Sequence, residues 1–349
     1  MDELYQPISW DEIKKSTKKL ANDKSPGLNG VPPNEFKALD DANLSWLPLF
    51  YNQFWNIQGV FDEWNECQVV PVNKKGNTNE PNTWRGVTLI DIGNKIYSSI
   101  MCGRLFKIIN KHGMKCQFGS TPGVRCQYDT FTIKKLLHPR HNHNIPKWVA
   151  FEELVKAFDT SNHALLIVIL GKYDAPPRLC SEIKHMYDKS IVKIIIGNVD
   201  TSIDSKVGVK QGDSMAPVLF MLLMMAFAET IYDKWTKLVL SKSQFARKDN
   251  SPRSTGQLVI QQPVTFSSGM IVDLFCMLYV DDGTFVFEYR TDIEKGITLL
   301  SDHFARFRLE MHIGTKKTPQ RLNEYFPRPQ VSLIHEHYRS IISPPPLFP

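Results

Sequence analysis

The sequence is poor in the signals that mark several common protein classes. Its six cysteines, Cys67, Cys102, Cys116, Cys126, Cys180 and Cys276, are scattered without a Cys-x-x-Cys pair. Neither a zinc ribbon nor a compact disulfide framework is indicated, and reduced thiols in an intracellular protein are expected. The opening MDELYQPISW is acidic rather than apolar, which is not the composition of a secretory signal. The longest apolar run, Met215 to Ala228, stops after 14 residues at Glu229, a length that fits a buried helix and falls short of a membrane span. Gly-x-Ser-x-Gly, P-loop and Gly-x-Gly-x-x-Gly patterns are absent, so hydrolase and dinucleotide-fold readings have no anchor. His138, His141 and His143 crowd into HPRHNHNIP without a matching cluster elsewhere, and they read as a polar loop rather than as metal ligands. No internal repeat is present.

What remains is an ordinary globular composition: 349 residues, 42% hydrophobic and 22% charged, enough for two or three packed units. The net charge of +6 tilts weakly toward a polyanionic partner. Helical spacing is expected over 10–22, and one or two packed helices between Asn34 and Phe61. CQVVPVNKKGN reads as a strand turning at Lys74-Lys75-Gly76, and NTWRGVTLI as another. Helices are expected across GNKIYSSIMCGRLFKIINK, from Thr130 to Leu137 and from about Ser161 to Gly171. IVKIIIGN and TSIDSKVGV look like paired strands. Residues 241–269 shift to Ser, Gln, Arg, Pro and Thr and are expected to form a long exposed connection with a hairpin near QLVIQQPVTF. Thr291 to Phe307 is expected to be helical. After Pro319 the periodicity fades into a proline-rich, poorly ordered tail.

Two acidic features stand out. In DLFCMLYVDDGTFVFEYR two β-rich runs meet at Asp281-Asp282-Gly283, a strong hairpin signal that a plain turn would also produce. In WVAFEELVKAFDT an apolar strand ends at Glu152 and Glu153. Strand-end carboxylates on neighbouring strands are how an oxygen-ligated magnesium site is assembled, and two such ions serve in-line phosphoryl transfer in a polymerase palm. Between them GVKQGDSMAPVLF supplies small and polar residues, Gln211, Gly212, Asp213 and Ser214. These suit close approach of a nucleotide, or a simple strand-to-helix connection capped by Asp213 or Ser214.

KSPGLNGVP, NTWRGVTLI, QFGSTPG, LVKAFD, GVKQGDSMAPVLF, YVDD and LEMHIGTKKT, in this order from Lys24 to Lys317, resemble the reverse transcriptases of non-long-terminal-repeat retrotransposons. The resemblance implies an α+β right-hand architecture of fingers and palm, the palm an antiparallel sheet backed by helices and the thumb absent or truncated. Residues 1–147 would be an N-terminal extension and fingers, 148–318 the palm, and 319–349 the tail. It implies RNA-directed DNA synthesis with two Mg2+ ions, Mn2+ being an alternative, on an RNA template and DNA primer with deoxynucleoside triphosphates. No membrane is involved, and the place of action is the cytoplasm or nucleus.

By the same resemblance Asp281 binds both metals and Asp282 is the less essential partner. Phe158 lies beneath the sugar and excludes a 2′-hydroxyl, which disfavours an RNA-synthesising polymerase; taken alone it is also an ordinary core Phe. Arg85 grips the triphosphate, its guanidinium suiting phosphate oxygens, with help from Lys74. Gln211 packs near the sugar, and Lys317 neutralises departing pyrophosphate. For Lys74 and Lys317 a solvated surface role is as good a reading.

Two departures from the family pattern matter. Counting back five from Phe158 lands on Glu153 where the family has the third catalytic aspartate. The added methylene displaces the carboxylate by roughly 1 Å, a misplacement that can cost on the order of a hundredfold in rate. Arg308 occupies a turn position where the family has glycine, and a positive φ there would strain it. These departures support an alternative, a catalytically impaired nucleic-acid-binding remnant.

Overall fold

The computed structural model describes residues 4–57, 59, 61–74, 76–112, 117, 119–120, 127, 130–134, 148–196, 199–237, 243–248, 258–260, 269–274, 276–287, 291–311 and 341–342. The chain forms two compact units, each assembled from two segments. Residues 1–113 and 156–223 make the first, and residues 114–155 and 224–349 the second. This differs from the linear partition at 147 and 148 expected from the sequence, because residues 156–223, expected in the palm, pack with the first segment, strand Ile191–Ile196 pairing in parallel with strand Glu66–Asn73.

In the first unit, Ser9 and Glu12 form a reciprocal cap on helix Trp10–Lys18: Glu12 N donates to Ser9 Oγ, and Ser9 N donates to Glu12 Oε2. Such a box satisfies two orphan N–H groups of the first turn. Glu12 also accepts from Arg104 Nε at 2.9 Å, and Arg104 lies over the Trp55 ring. Helix Trp10–Lys18 is thereby tied to helix Ile92–His112, in which Arg104 is buried. Between Pro33 and Ile57 there are three helices, Pro33–Ala38, Asp41–Leu44 and Leu47–Ile57. The last of these buries Tyr51, Phe54 and Trp55, with Tyr51 stacked on Tyr97.

The sheet of this unit has the order β2-β1-β4-β5, with β1 Glu66–Asn73, β2 Trp84–Leu89, β4 Ile191–Ile196 and β5 Val199–Asp204. β1 and β2 form an antiparallel ribbon, β4 joins β1 in parallel, and β4 and β5 are the antiparallel pair that the sequence indicates. Helices Ala157–Thr160, His163–Lys172 and Pro177–Asp188 lie between the two pairs in the chain. Pro177–Asp188, which the sequence reading passed over, starts on proline and buries Leu179, Ile183, Met186 and Tyr187 at helical spacing.

Helix Ala216–Lys237 is longer than its apolar run and continues past Glu229. Its Ala216–Trp235 stretch is long and apolar enough to cross a membrane, yet 67% of it is buried inside this protein. Its apolar surface is consumed by packing, Phe227 stacking on Phe304 and Trp235 on Phe285.

The second unit has two sheets, ordered β11-β3-β10-β9 and β7-β6-β8. β3 is Trp148–Glu153, β9 Cys276–Tyr279, β10 Asp282–Phe287 and β11 Ile341–Ile342, while β6 is Ser243–Lys248, β7 Leu258–Ile260 and β8 Gly269–Leu274. Over 241–269, where a long exposed connection with a hairpin near QLVIQQPVTF is expected, the described residues form β6 and β7, and β6 pairs antiparallel with both β7 and β8. Within the expected tail, Ile341 and Ile342 pair with Ala150 and Val149 on the outer edge of β3. Residues 130–134 are helical, while the histidine-rich segment lies outside the described residues.

Helix Thr291–Arg306 ends in a tight reversal: Leu309 N donates to Phe304 O and Arg308 N to Ala305 O, the paired bonds of a Schellman cap. The cap requires a left-handed residue, and Arg308 supplies it with φ 58. An L-residue pays roughly 1–2 kcal/mol for that conformation. Arg308→Gly is therefore expected to raise stability by about 1 kcal/mol, read as a higher urea midpoint at unchanged slope; a lower midpoint would contradict this account of the cap.

Candidate active site

The acidic residues are positioned by strand pairing in the second unit. β3 and β10 run antiparallel with Glu153 opposite Asp282 and Glu152 opposite Gly283, and Tyr279 of β9 also pairs with Asp282. Directly opposed residues share a face, and successive residues alternate between faces. Glu153, Asp282, Tyr279 and Phe151 thus belong to one face, on which Asp282, Tyr279 and Phe151 are exposed. Glu152 belongs to the other, with the buried Ala150, Phe285 and Phe287.

The turn sits one residue earlier than the sequence indicates. The Tyr279–Asp282 pair encloses Val280 and Asp281, and Gly283 is already inside β10. Asp-Gly reads as a turn because glycine accepts positive φ. Here Val280 takes the positive value, φ 61, and Gly283 is required for space instead. A Cβ on it would lie 2.8 Å from Glu152 Oε2 and 2.9 Å from the Phe285 ring. A β-branched residue in the left-handed region costs roughly 1–3 kcal/mol and persists only where its surroundings over-determine it.

Glu152 and Glu153 are adjacent in sequence but chemically different. Glu152 is 6% exposed, and neither carboxylate oxygen has a hydrogen-bond partner among the described residues. Burial, followed by the charges of Asp282, Asp281 and Glu153, pushes its pKa well above the usual carboxylate range. Glu153 is half-buried on the open face. Among the described residues no three His, Cys, Asp or Glu side chains close around a common point. Glu153, Asp281 and Asp282 instead stand side by side at a strand end and its turn. Hard oxygen donors displayed openly in this way fit magnesium, which retains water and takes substrate phosphate oxygens.

The other candidate residues are in the first unit, where three motifs are stitched together. Val209 N donates to Phe158 O at 2.7 Å and Thr88 N to Gln211 O at 2.6 Å. Gln211 Nε2 donates to Asp159 Oδ1 at 3.0 Å. Phe158 is half-exposed and stacks on Phe220, ring centroids 5.0 Å apart. Gly212, at φ +120, is pressed so closely to β2 that a Cβ would come within 2.5 Å of Thr88 O; glycine alone meets both conditions. Phe158, Gln211 and the strand that carries Arg85 are thus brought together.

Arg85 is exposed on β2 opposite Val72, and the exposed Lys74, two residues beyond Val72, follows on the same side of the ribbon. Asp213 is buried beneath the loop, where its Oδ1 accepts from Ser98 Oγ and from Met215 N. It serves as an internal strut three residues before helix Ala216–Lys237 begins. Asp159 was missed as a site residue, although it completes the LVKAFD motif. Lys317 lies outside the described residues.

Comparison with known proteins gives the same direction. A family model described as reverse transcriptase (RNA-dependent DNA polymerase) matches residues 72–325. The chain is 23% identical over 218 residues to the probable RNA-directed DNA polymerase from transposon BS of Drosophila melanogaster, covering 62% of this chain and 24% of that protein. It is 25% identical over 227 residues to the Pol polyprotein from type-1 retrotransposable element R2 of Bradysia coprophila, covering 64% and 25%. With the RNA-directed DNA polymerase from mobile element jockey of Drosophila melanogaster it shares 23% over 222 residues, covering 61% and 24%. The chain thus spans about a quarter of the length of these relatives.

The state of Glu152 gives a pH prediction. A carboxyl whose folded pKa is raised binds its proton more tightly when folded, so it costs stability as pH rises above the unfolded value of about 4.3. In EDTA, Glu152→Gln is expected to unfold at higher urea than the unmodified chain at pH 8, with the difference shrinking toward pH 4. A constant or inverted difference would show that Glu152 is solvated or paired.

Proposed function

This chain belongs to the reverse transcriptase (RNA-dependent DNA polymerase) family, and from that premise we propose that it extends a DNA primer on an RNA template, as in non-long-terminal-repeat retrotransposons. The observation that carries the reading is the register that sets Glu153 opposite Asp282, on the open face, with Asp281 in the adjoining turn. In the reaction the primer 3′-hydroxyl oxygen attacks the α-phosphorus of a deoxynucleoside triphosphate, and the bond to pyrophosphate breaks.

Glu153, Asp281 and Asp282 would hold divalent magnesium, two ions in the family pattern, with manganese as a substitute. When bound, such ions activate the hydroxyl and neutralise charge on the phosphates. Arg85, with Lys74, would bind triphosphate oxygens through charge-assisted hydrogen bonds. Phe158 would leave no room for a 2′-hydroxyl, while Gln211, oriented by Asp159, lies against the sugar. Lys317 would neutralise the leaving pyrophosphate. The carboxylate-bearing sheet is read as the centre of a palm and the β1–β2 ribbon as fingers, acting inside the cell where RNA and deoxynucleotides are found. The comparisons do not favour the impaired, binding-only alternative over this one.

Primer extension on an RNA template with Mg2+ tests the proposal. Asp281→Asn is expected to lower the rate by roughly a hundred- to a thousandfold, the usual scale for removing one electrostatic group aimed at developing charge. Phe158→Val is expected to raise ribonucleotide use relative to deoxynucleotide use. Extension that survives Asp281→Asn would remove the assignment.

A further inference from the structure

The QFGSTPG segment has no part in the chemistry above, yet two of its residues reach the catalytic turn. Gln117 is buried, and its Oε1 accepts from Val280 N at 3.0 Å and from Gly119 N at 3.0 Å. A side-chain carbonyl has two lone pairs, and both are used. Gln117 also forms a parallel bridge with Leu278 in β9. Gly119 lies flush against the same turn: a Cβ on it would sit 2.6 Å from Val280 Cγ2, 2.7 Å from Val280 N and 2.9 Å from Tyr279 C.

These contacts fall on the residue with the least favourable backbone of the hairpin. A residue inside a two-residue loop lies outside the strand ladder, so the Val280 N–H needs an acceptor from elsewhere in the fold. Val280 is left-handed with φ 61, and in that conformation its N–H meets Gln117. Were Val280 to relax to an ordinary negative φ, the peptide plane leading to Asp281 would swing, and the Asp281 carboxylate with it.

We propose that Gln117 and Gly119 are positioning residues for catalysis: they clamp Val280 in its left-handed conformation and thereby fix where Asp281 points. This rests on the polymerase reading for its catalytic meaning, while the clamp itself can be read without activity. It also gives Gln117 and Gly119, remote from the hairpin in sequence, a definite role in the site.

The test uses Gln117→Met, which keeps length and removes the acceptor, Gln117→Glu, which keeps an acceptor, Val280→Gly, and the Gln117→Met/Val280→Gly double variant. Hydrogen exchange at the Tyr279–Asp282 turn and single-turnover extension are measured. Gln117→Met is expected to speed exchange of the turn and to lower the extension rate by about a hundredfold, the scale of a 1 Å misplacement. Half-saturation by the deoxynucleotide is expected to stay unchanged, because the triphosphate contacts are untouched. Gln117→Glu is expected to keep the slow exchange.

Because glycine accepts positive φ freely, Val280→Gly is expected to restore roughly tenfold of the rate lost in Gln117→Met. Unchanged exchange in Gln117→Met, or a rate loss that Val280→Gly does not relieve, would overturn the clamp. Should Gln117→Met fail to fold, Gln117→Asn withdraws the acceptor by about one methylene and is judged by the same two criteria. If the unmodified chain extends no primer, the polymerase reading fails, and exchange at the turn still decides the clamp.

Discussion

Antiparallel pairing of Trp148–Glu153 with Asp282–Phe287 is the constraint on which the candidate site depends. A strand has a side-chain period of two, so a slip of one residue would exchange Glu153 for Glu152 on the open face and turn the buried Ala150 outward with it. The register is pinned from the buried side. Phe285 and Phe287 are fully enclosed, and Gly283 leaves just enough room for Glu152 to pass. The chemistry on one face is therefore set by packing on the other. Glu152 is the strained element of this arrangement, a buried carboxyl with no hydrogen-bond partner among the described residues and three acidic neighbours. Burying an unpartnered polar group costs free energy, which this fold tolerates beside its most acidic edge.

The same logic recurs in the first unit, where long-range backbone bonds rather than side-chain charge bring the motifs into order. Gln211 is held by its carbonyl to Thr88 and by its amide to Asp159, and Gly212 permits the close approach. Asp213, buried next to Ser98, props the loop from below. Exposed recognition groups such as Arg85 and the ring of Phe158 thus stand on buried struts. Preorganisation of this kind is what lets charged groups act without reorganising at the moment of reaction.

Much of this was legible in the sequence where the pattern is local. The β-branched apolar runs in CQVVPVN and IVKIII, the helical spacing of GNKIYSSIMCGRLFKIINK and the apolar run before Glu152 all correspond to strands and helices of the structure. The face alternation between Glu152 and Glu153 also follows from period two alone. What stayed hidden depends on distant partners. Asp-Asp-Gly looked like the turn because glycine is the usual carrier of positive φ, whereas here Gln117, 163 residues away from Val280, meets the N–H of a left-handed valine and leaves the glycine to relieve crowding. Helix Pro177–Asp188 was passed over because Pro176 and Pro177 interrupt the pattern at its start, and β6 because polar residues dominate Ser243–Lys248; β7 falls within the expected hairpin region, but its described partner is the distant β6.

The central claim is that Glu153, and not Glu152, joins Asp281 and Asp282 as an oxygen ligand. Titrating Mn2+ into the intact chain and reading the free ion by electron paramagnetic resonance tests it without reliance on turnover. The account predicts that Glu153→Gln weakens Mn2+ binding by about tenfold or more, on the scale of losing one charged ligand, while Glu152→Gln binds as the unmodified chain does. Loss of binding in Glu152→Gln with Glu153→Gln unaffected would contradict it.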